Sequence, residues 1–277
     1  MSREELINNN ETETGHFDKS LKREIKLARN IQMKLLNGQQ PTFDNGEVSG
    51  VSIPARLIGG DYYDFYLLPN GKLRIVIGDV MGKGIPAAML MILTRGAFRS
   101  AAETTQGPGD TLTAMNKAMY RDLRTLGSFV TVFCADWDPE TYMLTYANAG
   151  HNIPLVSQSE NKVVELPKIK GVMIGGLPNQ NYQESKIKLN EDDLVLFYTD
   201  GIVEAQNKEA TMYRIDRLKD VLLHNCKKDV KGIEDSIIQD VECFTDGATQ
   251  KDDITLVLLK INQDDTSITS YNSPVIC

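Results

Sequence analysis

A chain of 277 residues, 41% hydrophobic and 25% charged, has enough apolar material for one large soluble domain or two small ones. A net charge of −8 and a pI near 5.0 argue against nucleic acid as the main partner, because phosphate backbones need Lys/Arg surfaces. Four scattered cysteines with no C-x-x-C pair read as free thiols in a reducing cytoplasm. With no apolar signal segment in MSREELINNN, they place the chain there rather than in a secreted or membrane class.

Residues 1–17 are polar, and the composition predicts a disordered N-terminus. A helix is predicted over 18–36, with Asp18 or Ser20 as N-cap. Leu21, Ile25, Ala28 and Leu35 line one seam of it, with polar Gln32 filling the remaining seam position. Two heptads are too few for a coiled coil, so this stripe is expected to pack on its own domain or on a partner's helix. The stretch NGQQP stops it, making 18–40 a helix and linker and 41–262 the main domain.

The chain then turns β-rich. KLRIVIGDV, SFVTVFCADWD, YMLTYANAG, DDLVLFYTDG and DDITLVLLKI are short β-branched or aromatic runs bounded by Gly, Asp or Asn. Several are apolar on both faces, as strands between two layers are. Helices are predicted from Pro86 to about residue 101, from an N-cap at Asp110 to about 124, and near 212–224 and 232–244. The stretch Ile85 to Thr94 is too short to span a bilayer. Without regular βαβ alternation, the order of elements indicates an α+β fold. The tail 263–277 is polar and expected to be flexible.

Five aspartates sit where strands begin or end. Asp79 and Asp200 follow strand runs, Asp61 opens DYYDFYLL, and Asp252 and Asp253 open ITLVLLKI. In an antiparallel sheet the end of one strand and the start of its neighbour share a rim, so these positions can converge despite separations of 18, 121 and 52 residues. Each alone is an ordinary turn former. Together they would repel, by roughly 3 kcal/mol for two carboxylates 5 Å apart at an effective dielectric near 20. Hard dications on oxygen ligands, Mg²⁺ or Mn²⁺, relieve that repulsion, whereas three histidines and scattered cysteines do not make a zinc site. The loop GDVMGKG is no P-loop: its glycine-to-lysine spacing is one residue short, and Gly84 stands where a Ser/Thr is needed.

Taken in order, GGDYYDF, GDVMGKGIPAAMLM, ANAGHNIPLV, GGLPN, LVLFYTDGIVEAQN and DDITLVLL resemble the signature of the metal-dependent serine/threonine phosphatases (PPM, type 2C). The likeness is to the bacterial branch that includes the RsbU and SpoIIE phosphatases, and it covers about residues 40–262. It implies an α-β-β-α sandwich of two antiparallel sheets flanked by helices, and a centre of two Mn²⁺ or Mg²⁺ ions. Asp79 would bridge both metals, with help from the Val80 backbone carbonyl; Asp61 would serve the second, directly or through water, and Asp200 and Asp252 the first, with Asp253 as the alternative to Asp252. A metal-activated water would attack phosphoserine or phosphothreonine on a regulatory protein, such as an anti-anti-sigma-type substrate. Arg56 matches a phosphate-binding arginine of eukaryotic relatives and an exposed structural arginine equally well. Those relatives carry a histidine, a candidate general acid, where Met81 stands here. His151 fits a structural hydrogen-bonding role better than a site-adjacent one. The expected partners are the phosphoprotein and, through helix 18–36, a second copy of the chain or an upstream regulator. The rival reading is a PPM-fold binding module without catalysis.

Overall fold

The computed structural model describes residues 3–36, 40–158 and 162–262. The expected flexible tail at 263–277 lies outside the described residues. The strands are β1 (Gly46–Ile53), β2 (Tyr62–Leu67), β3 (Leu73–Val80), β4 (Val130–Asp138), β5 (Met143–Ala149), β6 (Leu155–Gln158), β7 (Lys162–Glu165), β8 (Ser185–Lys188), β9 (Leu194–Tyr198) and β10 (Ile254–Ile261). The helices are α1 (Arg3–Leu36), α2 (Ile85–Ala102), α3 (Pro108–Leu126), α4 (Asp200–Val203), α5 (Arg214–Asn225) and α6 (Val230–Thr245).

The strands form two antiparallel five-stranded sheets, in the orders β1-β10-β9-β6-β7 and β2-β3-β4-β5-β8. Strand alternation explains the layering. In β10, Val257, Leu259 and Ile261 join one core, while Leu256 and Leu258 join the other. β9 divides the same way, with Val195 and Phe197 against Leu194, Leu196 and Tyr198. A strand buried on both faces must lie between layers. On one side is the opposite sheet, where Phe133 of β4 meets Phe197 of β9 at 5.7 Å between ring centroids. On the other are α5 and α6, striped by Leu218, Leu222, Ile233, Ile237 and Val241. Helices α2 and α3 cover the second sheet through Met91, Phe98, Leu112, Met115 and Met119. This is the expected sandwich.

Local chemistry sets the helix ends. Asp229 caps α6 by accepting from the Gly232 N–H at 2.8 Å, and Gly127 ends α3 at φ 63°. Two expectations are corrected. α3 starts at Pro108, with Gly107 as N-cap, so Asp110 lies in its first turn instead of capping it. α1 starts at Arg3, so Asp18 and Ser20 lie inside a continuous helix instead of capping it.

Candidate metal centre and active site

The register of β2 and β3 pairs Tyr62 with Gly78, so Asp61, just before β2, comes beside Asp79, the last residue but one of β3. In the other sheet Leu256 pairs with Tyr198, which brings the residues after β9 next to those before β10. Thr199 links the two sheets: its hydroxyl donates to Asp61 Oδ2 at 2.8 Å and accepts from the Thr255 N–H at 3.1 Å. The aspartates therefore gather at one end of the sandwich, with each sheet supplying a share, rather than along the rim of a single sheet. Asp200 begins the short helix α4 instead of closing its strand.

The five carboxylates are not equivalent. Asp253 is buried, and backbone amides occupy it. Oδ1 accepts from the Ala55 N–H at 2.7 Å, and Oδ2 accepts from the Gly60 N–H at 2.6 Å. Two glycines make room for it. A Cβ at Gly59 would strike the Asp253 carboxylate, and one at Gly201 would strike the Asp253 backbone carbonyl. Asp252 lies nearer solvent and pairs with Lys83, whose Nζ is 2.6 Å from Oδ2 and also donates to the Lys251 carbonyl. The Val80 carbonyl lies 3.1 Å from where a Gly60 Cβ would stand, beside the Asp61 backbone.

Burial, then Asp200, Asp252 and Asp253, push the Asp79 carboxyl up to about 7. Burial and Asp79 raise Asp61 well above the ordinary carboxylate range, and burial and Glu204 raise Asp200. Such mutual repulsion among oxygen donors is the electrostatic signature of a site suited to hard cations. Among the described residues no three His, Cys, Asp or Glu side chains stand close enough together, as placed, to hold a metal ion. Three of the five carboxylates have other partners here, Asp61 the Thr199 hydroxyl, Asp252 the Lys83 ammonium and Asp253 the backbone. The donor chemistry fits dications, and the approach of Asp252 to one depends on its giving up that ammonium.

Arg56 is exposed, and its guanidinium lies against Gly84, in the loop that follows Asp79. Met81 at 42% exposure presents a thioether, which has no proton to give. His151 is buried with Nδ1 2.9 Å from the Thr131 hydroxyl, and its N–H donates to Asn148 Oδ1. Burial lowers its pKa to about 4, so it is neutral and braces β4 against the turn after β5.

Three residues at this centre were not singled out as site residues from the sequence: Lys83, Thr199 and Gln32. Lys83 had a signal, being the sole cation between two glycines in the Asp79 loop. Thr199 had none beyond preceding Asp200. Gln32 had the strongest signal, a polar residue on an apolar seam. It is 3% exposed, its Nε2 donates to the Gly59 carbonyl at 2.8 Å, and its Oε1 accepts from the Gly59 N–H at 3.1 Å. Helix α1 is thus hydrogen-bonded to the backbone two residues before Asp61.

The family described as Stage II sporulation protein E (SpoIIE) matches residues 69–262. The chain belongs to this SpoIIE family. It is 31% identical over 250 residues to phosphoserine phosphatase RsbU of Bacillus subtilis (strain 168), a match covering 88% of this chain and 72% of RsbU. It is 30% identical over 266 residues to Protein IcfG of Synechocystis sp. (strain ATCC 27184 / PCC 6803 / Kazusa), covering 86% of this chain and 42% of IcfG. The solved SiaA-PP2C domain of Pseudomonas aeruginosa superposes with a TM-score of 0.77 at 21% identity, covering 88% of this chain and 98% of that one, a likeness of fold. SpoIIE membership makes the chain a PP2C-type serine/threonine phosphatase in class, as the six motifs implied. Among the described residues no helix is long and apolar enough to cross a membrane.

Proposed function

We propose that the chain hydrolyses phosphoserine or phosphothreonine on a bacterial regulatory protein, of the anti-anti-sigma type, with two Mn²⁺ or Mg²⁺ ions as cofactors. The observation that carries this reading is the convergence of acidic side chains from both sheets on one buried, mutually repelling cluster. Asp61, Asp79, Asp200, Asp252 and the Val80 carbonyl would hold the cations. The amide bonds to Asp253 favour Asp252 as the ligand and give Asp253 the task of fixing the Ala55–Asp61 backbone. When bound, the cations supply the charge that acidifies an attacking water and neutralises the phosphoryl oxygens.

The protein's own groups orient and screen. The Thr199 hydroxyl fixes the Asp61 carboxylate. The Arg56 guanidinium, beside the Asp79 loop, has the forked geometry that suits a phosphate. Met81 offers no proton, so the leaving alkoxide takes its proton from solvent. The test is hydrolysis of p-nitrophenyl phosphate and of a phosphoserine protein with Mn²⁺. The wild type is expected to turn over both, and Asp79→Asn to lose at least a thousandfold. A wild type inert with every divalent ion and both substrates would leave the binding-module reading in place.

The partner reading rests on an apolar strip shared by α1 and α2. Ile31 is 60% and Met89 70% exposed, beside Ile85 and Ile92, around a groove of about 210 Å³. A second copy or an upstream regulator reaching the chain through residues 18–36 would cover it. Sedimentation of Ile31→Asp/Met89→Asp beside the wild type tests the first occupant. Loss of a wild-type dimer is expected, and a wild type that is monomeric at every concentration leaves the regulator.

A further inference from the structure

A second cavity of about 390 Å³ opens beside the acidic cluster and shares Lys83, Gly201 and Asp252 with it. Four aliphatic side chains line it, Ile53 of β1, Ile254 of β10, and Ile238 and Val241 of α6, among polar groups. Its rim is braced by hydrogen bonds. The Gln250 amide donates to the Ile53 carbonyl at 2.9 Å and to the Asp252 carbonyl at 2.7 Å. The Lys251 ammonium crosses to Gln206 Oε1, and Lys83 holds the Lys251 carbonyl from the opposite side. Small-molecule and side-chain sites combine these features: concavity, apolar lining residues and fixed polar groups among them, with volumes of roughly 300–1,000 Å³.

We infer that this cavity is a specificity pocket that takes an apolar side chain of the phosphoprotein substrate, within about three residues of the phosphorylated one. The inference rests on the phosphatase reading above. Continuity with the cluster argues for the occupant. A peptide whose phosphate reaches Asp79 and Asp200 passes the wall formed by Asp252 and Gly201, and its chain advances about 3.3–3.6 Å per extended residue. The four aliphatic side chains favour Leu, Ile or Met over a polar side chain, while Thr245 and the braced polar groups flank them. At the outer rim Glu204 and Glu242 repel an acidic neighbour on the substrate.

The test uses phosphoserine peptides in a Gly/Ser background with a single Leu, or in parallel sets a single Lys or Arg, moved from three residues before to three after the phosphoserine. Turnover is measured with Mn²⁺, and binding by fluorescence anisotropy. One Leu position is expected to raise kcat/KM about tenfold or more through KM, and to tighten Kd in parallel. Ile238→Trp fills the pocket and is expected to reduce that preference below twofold. Ala248→Leu fills the same space from the loop and serves if Ile238→Trp melts early. No Leu preference at any position overturns the inference, as does one that survives both substitutions. Preference for Lys or Arg in place of Leu overturns it too, by assigning the site to Glu204 and Glu242. Loss of p-nitrophenyl phosphate hydrolysis by the wild type would sink the catalytic reading, while the anisotropy measurement still decides the pocket.

Discussion

At the scale of single residues, the Asp79 carboxyl is the most informative group. Its pKa is raised to about 7 in the folded chain, against 3.8 ordinarily. Between those values the native state holds a proton that the unfolded chain has released. Stability therefore falls as pH rises from about 4 to about 7, and is level above that. Asp61 and Asp200 are raised too and act in the same direction. Thermal melts in EDTA at pH 5 and pH 7.5 are expected to show the lower Tm at pH 7.5. Asp79→Asn, which cannot ionise, should melt higher than the wild type at pH 7.5, each kcal/mol relieved being worth about 2–4 °C in a chain of this size. Equal melting temperatures for the two proteins would mean that the aspartate is not strained by its neighbours. The identity of the cluster was legible in the sequence because Gly-Asp and Asp-Gly recur at strand ends. The division of labour between Asp252 and Asp253 was not, because it depends on which carboxylate the 55–61 backbone reaches, a contact almost two hundred residues apart in the chain.

At the scale of elements, the strands that the sequence announced are the central ones, β3, β4, β5, β9 and β10, whose apolar runs must satisfy two buried faces. β1 reads as GEVSGVSI, β7 as KVVE and β8 as SKIK, and all three lie at sheet edges. An edge strand needs less apolar surface and carries polar or small residues, so it leaves a faint pattern. Helix α1 shows the converse: its seam was visible, its length was not, and Gln32 interrupted the pattern because that position meets backbone. Gln32→Leu would leave both the N–H and the carbonyl of Gly59 buried without partners, at about 1–3 kcal/mol each. The Gly59–Asp61 turn should loosen while the sheets persist. The expected outcome is at least a tenfold loss of phosphatase rate with unchanged far-ultraviolet circular dichroism. Full activity in Gln32→Leu would show that α1 only packs beside the site.

At the scale of the whole molecule, the cluster lies where two separately hydrogen-bonded sheets meet. Asp61 and Asp79 belong to one sheet, while Asp200 and Asp252 extend from strands of the other. Apolar contacts such as Phe133 on Phe197 hold the sheets together, and the like charges at this end push them apart. On the proposed function, a dication held by carboxylates from both sheets would reverse that sign and clamp this end. Binding to the native state alone stabilises by RT ln(1 + [L]/Kd), about 2.7 kcal/mol at a hundredfold excess over Kd. Mn²⁺ titrated into metal-free protein is therefore expected to raise Tm by several degrees and to flatten the decline between pH 5 and pH 7.5. Asp61→Asn and Asp200→Asn remove a donor from opposite sheets, so each alone should abolish most of that gain, and the double variant should lose little more than either single one. Additive losses would mean that each sheet binds its own cation independently. A melting temperature indifferent to Mn²⁺ would remove the clamp.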